Sequence, residues 1–132
     1  VEYYNDSKAT NTDAAIKGMS AFNKQVILIA GGYDKKIPFE VLGKEVQDHV
    51  KTLVLTGHTA EKIQKAVVES EGYQAGHPSI LMEPDFKQAV LKASQAAEEG
   101  DVVILSPACA SFDHFKNFAQ RGQTFKAIVN EL

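Results

Sequence analysis

The sequence predicts an α/β fold: a three-layer αβα, Rossmann-like domain whose mostly parallel sheet of about five to six strands carries helices on both faces. Two observations lead there. Short apolar runs alternate with amphipathic stretches along the whole of the 132 residues, the pattern of successive β-α units. The apolar runs are continuous rather than alternating, and most stop at glycine or proline, as strands buried on both faces do on leaving a parallel sheet.

Val1-Glu2-Tyr3-Tyr4 is the first strand. It begins with no methionine and no polar lead-in, so the chain is expected to be a piece of a longer protein, cut at its N-terminal side. Ala15, Met19 and Phe22 then share a helical face. Val26-Ile27-Leu28-Ile29-Ala30 is the second strand and stops at Gly31-Gly32. Phe39, Leu42, Val46 and Val50 recur at helical spacing, and Leu53-Val54-Leu55-Thr56 is a third strand ending at Gly57. Ile63, Ala66 and Val67 mark another helix. Ser79-Ile80-Leu81-Met82 stops at Glu83-Pro84 and is the strand most open to an antiparallel edge position. Phe86, Ala89, Val90, Ala93 and Ala97 form the clearest helical stripe, and Val102-Val103-Ile104-Leu105 is the fifth strand. Phe115, Phe118 and Ala119 open a last helix, which Gly122 is expected to interrupt before Phe125, Ile128 and Val129 resume it. Branched residues dominate the strands. With no repeat or linker, residues 1–132 form a single domain.

A chain of this size can bury a core of its own. Its 44% hydrophobic and 23% charged residues are ordinary for a globular domain. A net charge of −3 provides no basic stripe for a nucleic-acid backbone, and no apolar run approaches the ~20 residues that span a membrane. Neither partner is expected. The single cysteine excludes an internal disulfide and fits a reducing, cytoplasmic setting.

Open α/β sheets bind ligands beyond the carboxyl ends of their strands. Asn5-Asp6-Ser7-Lys8-Ala9-Thr10-Asn11 follows the first strand, Gly31-Gly32-Tyr33-Asp34-Lys35-Lys36 the second, Thr56-Gly57-His58-Thr59 the third, and Ser106-Pro107-Ala108-Cys109-Ala110-Ser111-Phe112-Asp113 the fifth. Lys8, Lys35 and Lys36 therefore gather on one edge with the hydroxyls of Thr10, Ser106 and Ser111, a set suited to a carboxylate or phosphate. The helix start after Asn11 offers backbone N–H groups to the same ligand. The plainer reading makes Asn5 to Asn11 a turn and a cap, since Thr10, Asn11 and Thr12 are all capping residues. One lysine would leave that reading ahead; three lysines from two loops favour binding. The opposite loops, Ser20 to Lys24 and Gln95 to Gly100, and the Glu98-Glu99-Asp101 cluster read as solvated surface.

Gly31-Gly32 belongs to no dinucleotide fingerprint or P-loop. A tight strand exit that presents Lys35 explains it at least as well as a phosphate-binding turn. Cys109 invites a nucleophile reading with His114 as base, but no activating third group is visible, and Ala108 and Ala110 point to a packed structural thiol. His49, His58, His77 and His114 lack metal-ligand spacing, so this chain is expected to build no metal site of its own.

The motifs match a known family. Asn5 to Asn11 resembles the first loop of the C-terminal domain of the Mur ligases, in the branch that adds D-glutamate. Leu105 to Phe118, followed by Arg121-Gly122, looks like the last loop and helix of that domain, and Ile29 to Lys36 is similar to its second strand exit. The matches occur in the family's order and run from one end of the chain to the other. Other Mur ligases and the related folylpolyglutamate synthases share the fold but carry an asparagine- or histidine-proline sequence in the first loop.

The resemblance implies an ATP-dependent amide-forming ligase of peptidoglycan precursor synthesis. The carboxyl group of UDP-N-acetylmuramoyl-L-alanine is phosphorylated, D-glutamate attacks the acyl phosphate, and a tetrahedral intermediate collapses to amide, ADP and phosphate. It places the P-loop, the Mg2+ ligands and a carbamylated lysine in a central domain, and the UDP end in an N-terminal domain, both outside this chain. By position, Lys35 and Thr10 should hold one carboxylate of D-glutamate and Ser111, with the backbone near Phe112 and Phe118, the other. Lys8 should face the same pocket. Asp6, beside Asn5, should reach the ATP ribose on domain closure. Phe112 stands where many relatives have leucine, and Lys36 directly follows Lys35, so the choice between the lysines stays open, with spacing from Gly31-Gly32 favouring Lys35. No catalytic group is expected in this piece, which should be inactive alone; the whole protein should be a cytoplasmic monomer. A stand-alone α/β module binding an anion or amino acid is the alternative, and a small enzyme using Cys109 a third reading.

Overall fold

The two most apolar runs lie at the centre of the sheet. In the computed structural model, which describes residues 1–112 and 115–132, β2 (Val26–Ala30) and β5 (Val102–Leu105) are buried at every position. β5 pairs with β1 (Glu2–Asn5) on one side and with β2 on the other; β2 continues to β3 (Val50–Leu55) and β3 to β4 (Ser79–Met82), giving the order β1-β5-β2-β3-β4. Every pairing is parallel, including that of β4, whose register runs from Thr52↔Ser79 to Leu55↔Met82. The antiparallel edge that its weak pattern left open is not formed: β4 is reached through a full crossover helix. As an edge strand it needs no uniformly apolar run, and only partial burial is found along it.

Alternation along the strands builds two cores. Leu28, Leu53, Leu55 and Ile104 face one side, where α1 (Thr12–Met19), α2 (Leu42–His49) and α3 (Ala60–Val68) bury Ala15, Met19, Leu42, Val46, Ile63 and Val67. Ile27, Ile29, Val54, Val103 and Leu105 face the other, where α4 (Phe86–Ala96) and α5 (Phe118–Asn130) bury Phe86, Ala89, Val90, Ala93, Phe125 and Ile128. This is the three-layer αβα arrangement. Among the described residues no helix is long and apolar enough to cross a membrane.

Local expectations change at the element ends and at one glycine. Phe39 lies before α2, and Phe115 before α5, which begins at Phe118 with Asn117 as its cap. Val50, which fits the helical period of Phe39, Leu42 and Val46, is the first residue of β3, with α2 ending at His49. A register shift between Val26 and Ile27 leaves Lys51 as an extra residue opposite β2. Gly122 does not break the last helix, since α5 runs through it without interruption. It is needed for closeness: a Cβ there would lie 2.7 Å from the Asn5 side-chain nitrogen. Gly18 does the same in α1, where a Cβ would lie 2.6 Å from an Asp6 carboxylate oxygen. The end of β1 thus emerges between two helices thinned by glycine.

The edge opposite the site is closed by polar contacts. Lys24 donates to the Gly100 carbonyl at 2.7 Å, and Asp101 accepts from Lys51 at 3.0 Å and from the Glu98 amide at 2.8 Å. Burial of Asp101 pushes its pKa up, but the Glu98 amide and Lys51 outweigh it and hold the carboxyl below its ordinary value.

Candidate functional site

The strand order creates a crevice. The chain leaves β2 towards α2 on one face and leaves the neighbouring β5 towards α5 on the other, so the loops diverge where ligands bind in doubly wound sheets. The same divergence separates β5 from β1, which leads to α1. The first, second and last loops therefore meet around the end of β5.

Glycine and small residues let them meet closely. Gly31 has φ +112°, and a Cβ there would lie 1.9 Å from the Thr56 carbonyl oxygen. Its N–H donates to the Pro107 carbonyl at 2.9 Å, and the Gly32 N–H donates to Thr59 Oγ1 at 3.0 Å. Both amides are used internally, so the pair is a tight strand exit and not a phosphate-binding turn. The Tyr33 N–H donates to the Ala110 carbonyl at 2.9 Å, an antiparallel bridge that ties the second loop to the last. Ala108 adopts φ +63° within that last loop, a strained conformation held by its surroundings.

Arg121 joins the three loops. Only 2% exposed, it donates from Nε to Ser7 Oγ at 2.9 Å and from Nη2 to the Ser7 carbonyl at 2.8 Å. Ser7 Oγ in turn donates to the Phe118 carbonyl at 2.7 Å. Nη1 lies 3.2 Å from where a Gly32 Cβ would be, so the guanidinium reaches from the first loop to the second. The sequence places Arg121 inside a motif but gives it no role. A buried arginine tied to backbone two loops away leaves no local pattern.

The side chains singled out from sequence fall into three groups. Lys8 and Phe118 line a cleft of about 280 Å3 with Asn5, Ser7 and Lys126. Lys8 also lines a second hollow of about 580 Å3 with Asn5, Asp6, Lys17 and Phe22. Phe112 and Tyr33 meet edge to face at 5.9 Å between ring centroids; both are well exposed, and Tyr33 lies two residues before Lys35. Ser111 is buried beside Phe112, while Thr10 is half-buried in the first loop and lines neither hollow. Asn11, not Thr10, caps α1, its Oδ1 accepting the Ala14 N–H at 2.9 Å. That cap occupies part of the helix terminus proposed as an anion site, and it releases the Thr10 hydroxyl from capping.

The lysines differ. Lys36, at φ +63°, donates its N–H to Asp34 Oδ1 at 2.8 Å, with its ammonium 3.6 Å from the same carboxylate. Lys62 from α3 ion-pairs with that carboxylate too. Its hydrogen bond, and then the Lys36 amide, hold the Asp34 carboxyl below its ordinary value. Lys8 and Lys35 are exposed and make no hydrogen bond or ion pair among the described residues. Ser106, expected to offer its hydroxyl to a ligand, is fully buried and donates instead to Asp6 Oδ2 at 2.8 Å, which holds that carboxylate at the mouth of the larger hollow.

Cys109 is 1% exposed, with Sγ 3.2 Å from Thr59 Oγ1. His114, suggested as its base, and Asp113, the last residue of its loop motif, lie outside the described residues. The burial and the Thr59 contact fit a packed thiol. Cys109→Ala is expected to cost about 1–2 kcal/mol of stability through a small cavity and a lost hydrogen bond, with turnover of the full-length protein within about twofold of the parent. Urea unfolding and a steady-state assay check it; loss of turnover at unchanged stability would restore the nucleophile reading.

Comparison with known proteins adds an independent line. The family model described as "Mur ligase, glutamate ligase domain" matches residues 1–109. Proteins named UDP-N-acetylmuramoylalanine–D-glutamate ligase are similar along the entire chain, at 52% identity in Clostridium novyi (strain NT) and 51% in Clostridium kluyveri (strain NBRC 12016). The chain spans 29% of the length of these curated relatives. A solved structure of UDP-N-acetylmuramoyl-L-alanyl-D-glutamate–2,6-diaminopimelate ligase superposes with a TM-score of 0.59 at 15% identity, over 92% of this chain and 28% of that one; at that identity the likeness concerns the fold alone.

Proposed function

Because the chain belongs to the Mur ligase family, as its glutamate ligase domain, we propose that residues 1–132 are the amino-acid-binding C-terminal domain of an ATP-dependent ligase that joins D-glutamate to UDP-N-acetylmuramoyl-L-alanine in peptidoglycan precursor synthesis. The observation that carries the reading is identity at about half of all positions, over the full chain, with ligases named for this reaction. It favours a ligase domain over a free-standing α/β module.

The chemistry of the ligand supports the substrate assignment. D-glutamate carries two carboxylates on a short aliphatic stem. Lys35, exposed and without a hydrogen-bond or ion-pair partner among the described residues, and Thr10, released from capping, are assigned to one carboxylate. Ser111 and the backbone around Phe112 and Phe118 take the other, with the two rings as apolar walls for the stem. Lys8, which borders both hollows, adds positive charge to the same edge. Lys36 is engaged by Asp34, which supports Lys35 as the substrate lysine. This chain's work is to orient the amine for attack on the acyl phosphate, an entropic contribution that needs no proton transfer from it.

Asp6 and Asn5 fit the sugar end of a nucleotide. Asp6 is fixed through one oxygen by Ser106 and lines the larger hollow with Asn5, so its carboxylate can accept from ribose hydroxyls. ATP would supply the phosphoryl group that activates the muramoyl carboxylate. Its phosphates and Mg2+ are assigned to the central domain of the full-length protein, and the UDP group to the N-terminal one; we take that protein to act as a monomer in the cytoplasm.

The full-length protein should turn over ATP to ADP and inorganic phosphate continuously only when both the UDP substrate and D-glutamate are present, and diaminopimelate should not replace D-glutamate. The isolated 132-residue chain should release none and should bind D-glutamate too weakly to saturate by calorimetry, because closure onto the other domains completes the site. Tight binding by the isolated chain, or acceptance of diaminopimelate, would overturn the assignment.

A further inference from the structure

We propose that the first turn of α3, through Thr59 and Lys62, is the positioning element for Lys35 and so sets how well the D-glutamate carboxylate is held; this rests on the assignment of Lys35 above. Thr59 is the residue at the N-cap of α3, where a threonine hydroxyl normally accepts from the helix's own first amides. It makes no such bond. Fully buried, it grips Gly32 from both sides: Oγ1 accepts the Gly32 N–H at 3.0 Å, and the Thr59 N–H donates to the Gly32 carbonyl at 3.2 Å. The cap has been diverted to the neighbouring strand exit.

One turn along the helix, Lys62 ion-pairs with Asp34, whose side chain is only 16% exposed. The loop is therefore held at residues 32 and 34 by α3, and at residue 33 by the Ala110 carbonyl. Lys35 comes next. Its ammonium makes no hydrogen bond or ion pair among the described residues, so the backbone before it sets its place. Lys62 has a second effect: it shares Asp34 with Lys36, and without it the carboxylate is left to the lysine adjoining the substrate lysine. A cation carried on fixed backbone gives up less freedom on binding an anion. Loosening the loop should weaken D-glutamate binding while leaving sites in the other domains untouched.

The test uses the full-length ligase. Thr59→Val keeps the shape and removes the acceptor, and the KM for D-glutamate should rise about tenfold with the KM for ATP and for the UDP substrate within about twofold. Thr59→Ser keeps the oxygen and should recover most of the loss. Lys62→Met, at a half-exposed position that should not affect folding, should raise the D-glutamate KM about threefold. It decides the question if Thr59→Val does not fold. Lys35→Ala runs alongside. If Lys35→Ala raises the D-glutamate KM while Lys62→Met and a folded Thr59→Val leave it unchanged, or raise all three KM values alike, the positioning role is wrong and the substrate assignment stands. If Lys35→Ala has no effect on that KM, the assignment falls and the positioning role with it.

Discussion

Lys35→Ala in the full-length ligase is expected to raise the KM for D-glutamate by about 10- to 100-fold, the range for losing one hydrogen-bonded ion contact to a bound carboxylate. The KM for the UDP substrate should stay within about twofold, because that substrate is assigned to other domains. Lys36→Ala should move neither constant by more than about threefold, since the Lys36 ammonium is 82% exposed and its one partner among the described residues is Asp34, at 3.6 Å. Steady-state kinetics on the two variants separate the adjacent lysines. Equal effects of Lys35→Ala on both substrates, or a larger effect of Lys36→Ala on D-glutamate, would reject the assignment.

That contrast marks how far the sequence could be read. Motif spacing favours Lys35 over Lys36, but the stronger reason is a carboxylate at Asp34 that receives Lys36 and Lys62 together. Lys62 lies 28 residues further on, beyond any local pattern. The strands were legible because a parallel strand buried on both faces must be apolar throughout, as Val26–Ala30 and Val102–Leu105 are. The ends of elements were not. Val50 satisfies the helical period and the strand equally well, and pairing with β2 decides the matter.

The same limit applies to the polar residues of the site. Ser106 and Thr10 look equivalent in sequence, two hydroxyls at strand exits. Ser106 is buried against Asp6, while Thr10 is spared because Asn11 takes the cap. Arg121 and Thr59 act on residues in other loops, and their value appears only when the loops come together. Gly122 differs for a related reason: glycine in a helix is a breaker by propensity, and only the Asn5 side-chain amide lying against it shows what the missing Cβ makes room for.

Gly31→Ala should have the largest effect on folding. Two costs combine there. Placing an L-residue at φ +112° carries the backbone penalty of the left-handed side of conformational space, on the order of 1–2 kcal/mol. The new Cβ would also lie 1.9 Å from the Thr56 carbonyl oxygen, backbone on backbone, with no flexible side chain to move aside. Thr56 cannot retreat cheaply, because its N–H continues the β2–β3 ladder by donating to the Ala30 carbonyl at 3.0 Å. A total loss above ~4 kcal/mol is expected, a large fraction of the ~5–15 kcal/mol that holds an ordinary domain together. Gly100→Ala supplies the comparison: its φ is +87° with nothing within 4 Å of a Cβ, so only the backbone penalty of about 1–2 kcal/mol remains. Urea unfolding of the two variants measures the difference directly. Equal losses would mean that the Thr56 contact is not what reserves this position for glycine. A loss several-fold larger for Gly31→Ala than for Gly100→Ala would show that the close crossing of β2 and β3 exits, the same crossing that sends the chain towards Tyr33 and Lys35, cannot open to admit a methyl group.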